Sequence, residues 1–363
     1  MAFRSAMAML IGVAAWASQA PAGGRIWVRV TTPLSSADAK AGDAVRVVAI
    51  PSGMPLKGEV VRAVAASPDR RAELQLHFPG ARLVDVDNAR ETIDANGVIL
   101  GILASETLAG RMDSGIQRIG ERYAGLAGVL GAIQSTILPG PETGIVYAAG
   151  VELQLELTAP IELPDALAPK PDPEFERTAA AQPFRTTTAN TERPSDLINL
   201  MLEGNQAEVV AAFHAAGWTE ARPLNTASKL ETLRAIAAER GYSEAPVSTL
   251  LLKGKPPALV FEKLNNTFAK RHHLRIWRMG SRLWLVAATH DIGIDVSQDD
   301  RTFIHRIDPN IDDERQRVVD DLLFAGKVKA WELVDRPAVP RLTSNATGDE
   351  IHTDGKTAVV ILR

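Results

Sequence analysis

Val151-Glu152-Leu153-Gln154-Leu155-Glu156-Leu157 alternates apolar and polar residues without a break. Successive side chains of a strand point to opposite faces, so this run predicts a β-strand with one face in a core and the other in solvent. The same period appears on either side of it. Ile26, Val28 and Val30 alternate with Trp27 and Arg29, and Leu74, Leu76 and Phe78 step by two. Val45 to Ile50 and Glu59 to Val64 are β-branched runs separated by Pro51, Gly53 and Pro55. Short strands at this spacing predict a mainly-β domain over residues 25–163, a sandwich or a barrel. One amphipathic helix interrupts them: Ile116, Ile119, Tyr123, Leu126, Leu130 and Ile133 step by three and four and share one face. Gly115, Gly120, Gly125, Gly128 and Gly131 each weaken that helix by about 1 kcal/mol relative to alanine. It is therefore expected to need a surface to dock on.

Toward the C-terminus the composition shifts. Pro164, Pro169, Pro171, Pro173, Pro183 and Pro194, with Thr186 to Thr188, predict a disordered Pro/Thr-rich linker over 164–195. From 196 to 363 strands and helices mix. Val209, Val210, Phe213 and Ala216 fall at helical spacing before Gly217, and Leu230, Leu233 and Ile236 mark a second helix before Gly241. Leu274 to Arg278 and Leu283 to Thr289 read as strands, as do Val328 to Val334 and Ala358 to Leu362. Asp308-Pro309 predicts a helix start, with Asp308 as cap and Pro309 in the first helical position. The fold class expected is α+β, a mainly-β domain followed by an α/β domain with a mixed sheet.

The chain has 363 residues, a length that suits two domains. Its formal net charge of −4 argues against a nucleic-acid binder, which needs a basic surface to displace counterions. It contains no cysteine, so disulfides and thiolate metal sites are excluded. Arg4 is the only charge in the first 24 residues. Met7 to Ala17 is an apolar run too short to span a bilayer, and Ala20-Pro21-Ala22 supplies the small residues of a cleavage site. A signal peptide over 1–22 is expected. The mature chain is then exported, periplasmic or secreted, with no transmembrane span.

Six stretches in order carry a resemblance. They are Ala215-Ala216-Gly217-Trp218, Ala245-Pro246-Val247-Ser248, Arg271-His272-His273-Leu274-Arg275-Ile276-Trp277 and Ala287-Ala288-Thr289-His290-Asp291-Ile292-Gly293, then His305-Arg306-Ile307-Asp308-Pro309-Asn310-Ile311-Asp312 and Thr353-Asp354-Gly355-Lys356. From about residue 195 onward the chain resembles the LssY C-terminal-like family, a bacterial domain whose activity is uncharacterised as a family. Members are often fused to membrane proteins of lipid-phosphatase or DedA type. This chain carries neither, so the resemblance does not transfer lipid-phosphate chemistry.

The densest polar set lies between 271 and 314. His290 and Asp291 end one strand run, and His305 precedes the Asp308 helix, so these three are the candidate catalytic residues of a hydrolase. Two or three histidines with carboxylates suit a divalent metal, although the spacing matches no known metal signature. His272 and His273 are neighbours on a strand and point to opposite faces, with Arg275 and Trp277 on the His273 face. His273, Arg275, Arg271, Trp277 and Asp308 are the candidate ligand-binding residues. Lys270, Arg271, Arg275, Arg278 and Arg282 surround one hairpin with Trp277 and Trp284, guanidinium chemistry that suits an anion beside an aromatic wall. The function expected is an exported envelope protein that binds an anionic envelope ligand or partner; the competing class is a hydrolase, metal-dependent and of phosphoester type.

Overall fold

The computed structural model describes residues 17–65, 72–85, 91–93, 99–102, 146–147, 149–164, 167–189, 191–221, 250–267, 270–296 and 303–363. The helices expected over 116–133 and 230–236 lie outside the described residues. So do residues 1–16 of the expected signal peptide.

Six strands form the N-terminal sheet: β1 (Arg25–Val30), β2 (Ala44–Ile50), β3 (Pro55–Val64), β4 (Glu73–His77), β5 (Ala81–Asp85) and β6 (Glu152–Leu157). Their order is β4-β3-β2-β1-β6-β5, antiparallel throughout. A bridge between Phe78 and Ala81 brings the two outer strands together, so the sheet is nearly a barrel. Ile26, Val28 and Val30 point inward with Leu153, Leu155 and Leu157, as the alternation requires. Ala17–Ala20 forms a further short strand paired with Ile161–Pro164.

The opposite face of β1 and β6 departs from the expectation. Glu152 is buried rather than solvated, because the C-terminal half covers this end of the sheet.

The described residues of 164–195, expected to be a disordered linker, carry regular structure instead. Asp172 caps helix α1 (Pro173–Ala180), its carboxylate accepting from the Glu174 N–H at 2.9 Å, with Pro173 in the first turn where its missing donor costs nothing. The Thr-rich run becomes strand β7 (Arg185–Thr188), with Thr186 buried. The segment is stitched to its surroundings: Lys170 N–H donates to the Trp331 carbonyl at 2.8 Å and Trp331 Nε1 to the Leu167 carbonyl at 2.8 Å. Docking supplies the order that proline content alone would deny.

Beyond it come β8 (Pro194–Leu197), β9 (Leu200–Glu203), α2 (Gln206–Ala215), β10 (Thr219–Glu220), β11 (Leu250–Leu251), β12 (Leu259–Thr267), β13 (Lys270–Arg278), β14 (Leu283–Val296), β15 (Phe303–Ile307), α3 (Ile311–Phe324), β16 (Val328–Asp335) and β17 (Lys356–Leu362). A mixed sheet runs β10-β12-β13-β14-β9-β17-β16, with β15 pairing the far half of the long β14. Among the described residues of this sheet only the β9–β17 pairing is parallel. α2 opens with a reciprocal capping box between Asn205 and Glu208 and closes at Gly217, whose φ of +85° favours a residue without Cβ.

The sheet is covered on both faces. Leu202, Phe261, Leu274, Ile276 and Val286 pack with Val209 and Phe213 of α2 and Val318 and Leu322 of α3. Met201, Trp277, Leu285 and Val359 face the other way, toward Phe175 of α1 and Leu250 of β11. The start of α3 lies later than expected. Asp308 accepts from the Asn310 N–H at 2.9 Å in a turn that precedes the helix, and Asn310 is the residue at its N-terminal boundary.

Candidate functional site

β13 and β14 carry most of the expected site and divide it. His272 lies opposite His290 in register and points to the helix face. The two imidazoles stack, with centroids 4.4 Å apart and planes 16° apart. Nδ1 of His272 is 2.6 Å from Oε2 of Glu314 on α3, and the edges of Trp27 and Trp218 enclose the ring at 5.9 and 6.2 Å. Burial, followed by the neighbouring His272, pushes the His290 pKa down to about 4, so His290 is neutral at pH 7. Its Nε2 is buried without a hydrogen-bond partner.

Asp291, the next residue, belongs to the other face. There its Oδ2 lies 2.6 Å from Nε2 of His273. Arg275, two residues along β13 on the same face, donates to Asp196 at 3.0 Å. Burial raises the Asp196 pKa, with Arg275 opposing and Asp291 reinforcing. Arg306 pairs with Asp349 beside this group. His290 and Asp291 therefore do not meet in one cavity: each is drawn into a separate buried network by the two-residue period of its strand. His305 lies on β15, its backbone paired with Ile294, and Arg271 on β13 pairs with Asp291; their side chains fall outside the description. Among the described residues no group of three or more ligating side chains could hold a metal ion.

The arginine hairpin lacks the aromatic wall expected of it. Trp277 is buried with its Nε1 on the Lys255 carbonyl at 3.0 Å, and Trp284 is buried on the opposite face with its Nε1 on the Gly204 carbonyl at 2.8 Å. Arg282 pairs with Glu208 at 3.1 Å, and Arg278 lies over the Trp284 ring at 5.6 Å.

Two of the resembling stretches meet at Arg315. Its guanidinium donates to Asp312 Oδ1 at 2.9 Å, to both oxygens of Asp354 at 2.8 and 3.1 Å, and to the Lys356 carbonyl at 2.9 Å. Asp312 in turn accepts from Thr353 Oγ1 at 2.8 Å and from the Asp354 N–H at 2.5 Å. Thr353 to Lys356 is thus clamped to the first turn of α3, and the carboxylates there are consumed in structure.

One ionic cluster among the described residues was not legible as a site. Trp27, Arg29 and Glu152 on the outer face of the N-terminal sheet meet Lys263, Arg317 and Asp321 of the C-terminal half. Lys263 Nζ lies 2.7 Å from Asp321 and 3.0 Å from Glu152. Arg317 contacts Glu152 and reaches Asp321 at 3.5 Å, and Trp218 Nε1 donates to Asp321 at 3.1 Å. Burial pushes Asp321 upward, but Arg317 and Lys263 prevail and hold its pKa below the ordinary value. Two signals for this cluster exist in the sequence: a tryptophan on the supposed solvent face of β1, and an aspartate set between Val318 and Leu322 in the apolar stripe of α3.

The six stretches fall in order along the chain of this covered mixed sheet, the last of them being the clamped Thr353–Lys356 turn. Residues 178–357 match the family described as LssY C-terminus, and the chain carries an LssY C-terminal domain there. The match begins inside the segment expected to be linker, in agreement with the structure of α1 and β7. Neither the curated proteins nor the solved structures contain a match to the chain.

Proposed function

We propose that this chain is an exported cell-envelope protein whose LssY C-terminal domain is a binding module for an anionic envelope ligand or partner, rather than a hydrolase. The observation that carries the reading is the separation of His290 from Asp291. Hydrolysis by the expected trio needs nucleophile-activating and orienting groups at one open position, whereas these two side chains turn to opposite faces of the sheet. The anionic preference is supported by Arg29, Lys263 and Arg317, three cations that converge on a single carboxylate. Export is supported by the charge-poor apolar N-terminus and the small residues Ala20 to Ala22.

The test uses the wild-type mature chain in two assays. Thermal melts with inorganic phosphate, and with vesicles of anionic phospholipid, should raise Tm above matched sodium chloride. Turnover of p-nitrophenyl phosphate, with and without zinc or manganese, should stay at background. Metal-dependent turnover that disappears in His290→Ala would replace the binding reading with the hydrolase.

A further inference from the structure

Glu152 lies on β6 directly across from Arg29 on β1, both on the outer face of the N-terminal sheet. Oε1 of its carboxylate accepts from Arg29 Nε at 3.0 Å and Nη2 at 2.6 Å. Oε2 is 3.0 Å from Lys263 Nζ and also accepts from Arg317. Both oxygens are thereby held by cationic donors, the strongest form of carboxylate recognition. Each cation also lies against an aromatic ring: Arg317 over Trp27 at 4.1 Å, Arg29 over Phe324 at 4.6 Å and Lys263 over Trp218 at 5.8 Å. Ring faces hold cations in place and shed water without neutralising them. The slot is largely closed to solvent: the side chains of Glu152, Lys263 and Arg317 are exposed by 5%, 7% and 2%, and that of Arg29 by 20%.

Two carboxylates, Glu152 and Asp321, lie within ion-pair distance of the three cations. Asp321 is the second carboxylate that pairs with these cations, and Glu314 beside them is taken by His272. Removing the Glu152 carboxylate takes away one of the two paired with the cations and raises the buried positive charge of the cluster by one, which a low-dielectric interior penalises.

We infer that Arg29, Lys263 and Arg317 form an oxyanion-binding site, shaped for the carboxylate or phosphate group of a ligand and filled in this structure by the chain's own Glu152. The inference rests on the binding-module reading and names where the anion goes. It also gives the N-terminal sheet a role, as the element that supplies the stand-in anion and covers the slot.

Glu152→Ala in the full chain tests it by rescue. The variant should melt below wild type in chloride, and acetate or inorganic phosphate at matched ionic strength should raise its Tm by about 3 °C or more beyond their effect on wild type. Adding Lys263→Met should abolish that increment. If Glu152→Ala does not fold from chloride, the rescue is read as refolding yield in acetate or phosphate, expected to be several-fold higher than in chloride. Equal response to chloride, acetate and phosphate, by Tm or by yield, overturns the slot. That result leaves the wild-type phosphate and vesicle melts to decide the binding-module reading separately.

Discussion

His290→Phe removes one titration while keeping a ring stacked on His272. In the folded chain the His290 pKa falls from 6.5 to about 4, through burial first and the adjacent His272 second. A base whose folded pKa is depressed takes up its proton in the unfolded chain first. Between pH 6.5 and 4 the unfolded state therefore binds more protons, and wild-type stability declines as pH falls through that window. Above it the effect is absent, and below it the effect is complete. The gap of about 2.5 pH units corresponds to roughly 3 kcal/mol at full extent. At about 2 °C or more per kcal/mol, this is roughly 6 °C of Tm. Melts of wild type and His290→Phe at intervals from pH 7.5 to 4 measure it. A fixed offset from repacking cancels, because only the slope is compared. The wild-type curve should fall more steeply, with the extra loss confined to the window. Parallel curves would show that His290 titrates alike in both states, and the buried-stack account would fail.

Arg315→Ala should cost about 2–3 kcal/mol in urea unfolding, since it strips the donor fork from Asp312 and Asp354, and Arg315→Lys should recover only part of it; a neutral Arg315→Ala would mean the Thr353–Lys356 turn holds itself. Hydrogen exchange should find protected amides at Phe175, Ala181 and Thr188, all bonded in the structure, and exchange at the unfolded rate there would restore the disordered-linker expectation. Protein recovered from the cell envelope should begin near Gly23, by mass spectrometry of its N-terminal peptide. Processing there removes the Ala17–Ala20 strand from Ile161–Pro164, and an intact Met1 in that fraction would refute the signal-peptide reading.

Fold class was legible because the two periods are local. The inward residues of β1 and β6 follow from alternation alone, and Val209 and Phe213 of α2 follow from helical spacing before Gly217. Proline content over 164–195 points to disorder, whereas the positions of the prolines do not. Pro173 at a helix start and Pro194 at a strand start are both tolerated places, and the partners that fix the segment, Trp331 and Glu332, lie far along the chain. Asp308 misled more narrowly, since its carboxylate closes a turn two residues before the helix boundary.

The site was less legible for a physical reason. A cluster of histidines, arginines and carboxylates close in sequence draws attention as chemistry, but adjacent residues on a strand are separated by the sheet itself. Only the period of two could be applied in advance, and it did separate His272 from His273; the same rule applied to His290 and Asp291 separates them too. What sequence proximity cannot supply is the partner across an interface. Glu152, Lys263 and Arg317 are scattered over 165 residues, yet both cations share the Glu152 carboxylate. The signals of the cluster stand out only against their own elements: Trp27 and Glu152 on a polar strand face that turns out to be covered, Lys263 on the Phe261 face of β12, and Asp321 within an apolar helical stripe. A charge on a face that packing requires to be apolar implies a countercharge on whatever covers it, because an unpaired buried ion is too costly to keep. Applied to Lys263 and Arg317, two cations beside the single carboxylate of Asp321, that rule also explains why Glu152 occupies the outer face of a sheet whose own core has no use for it.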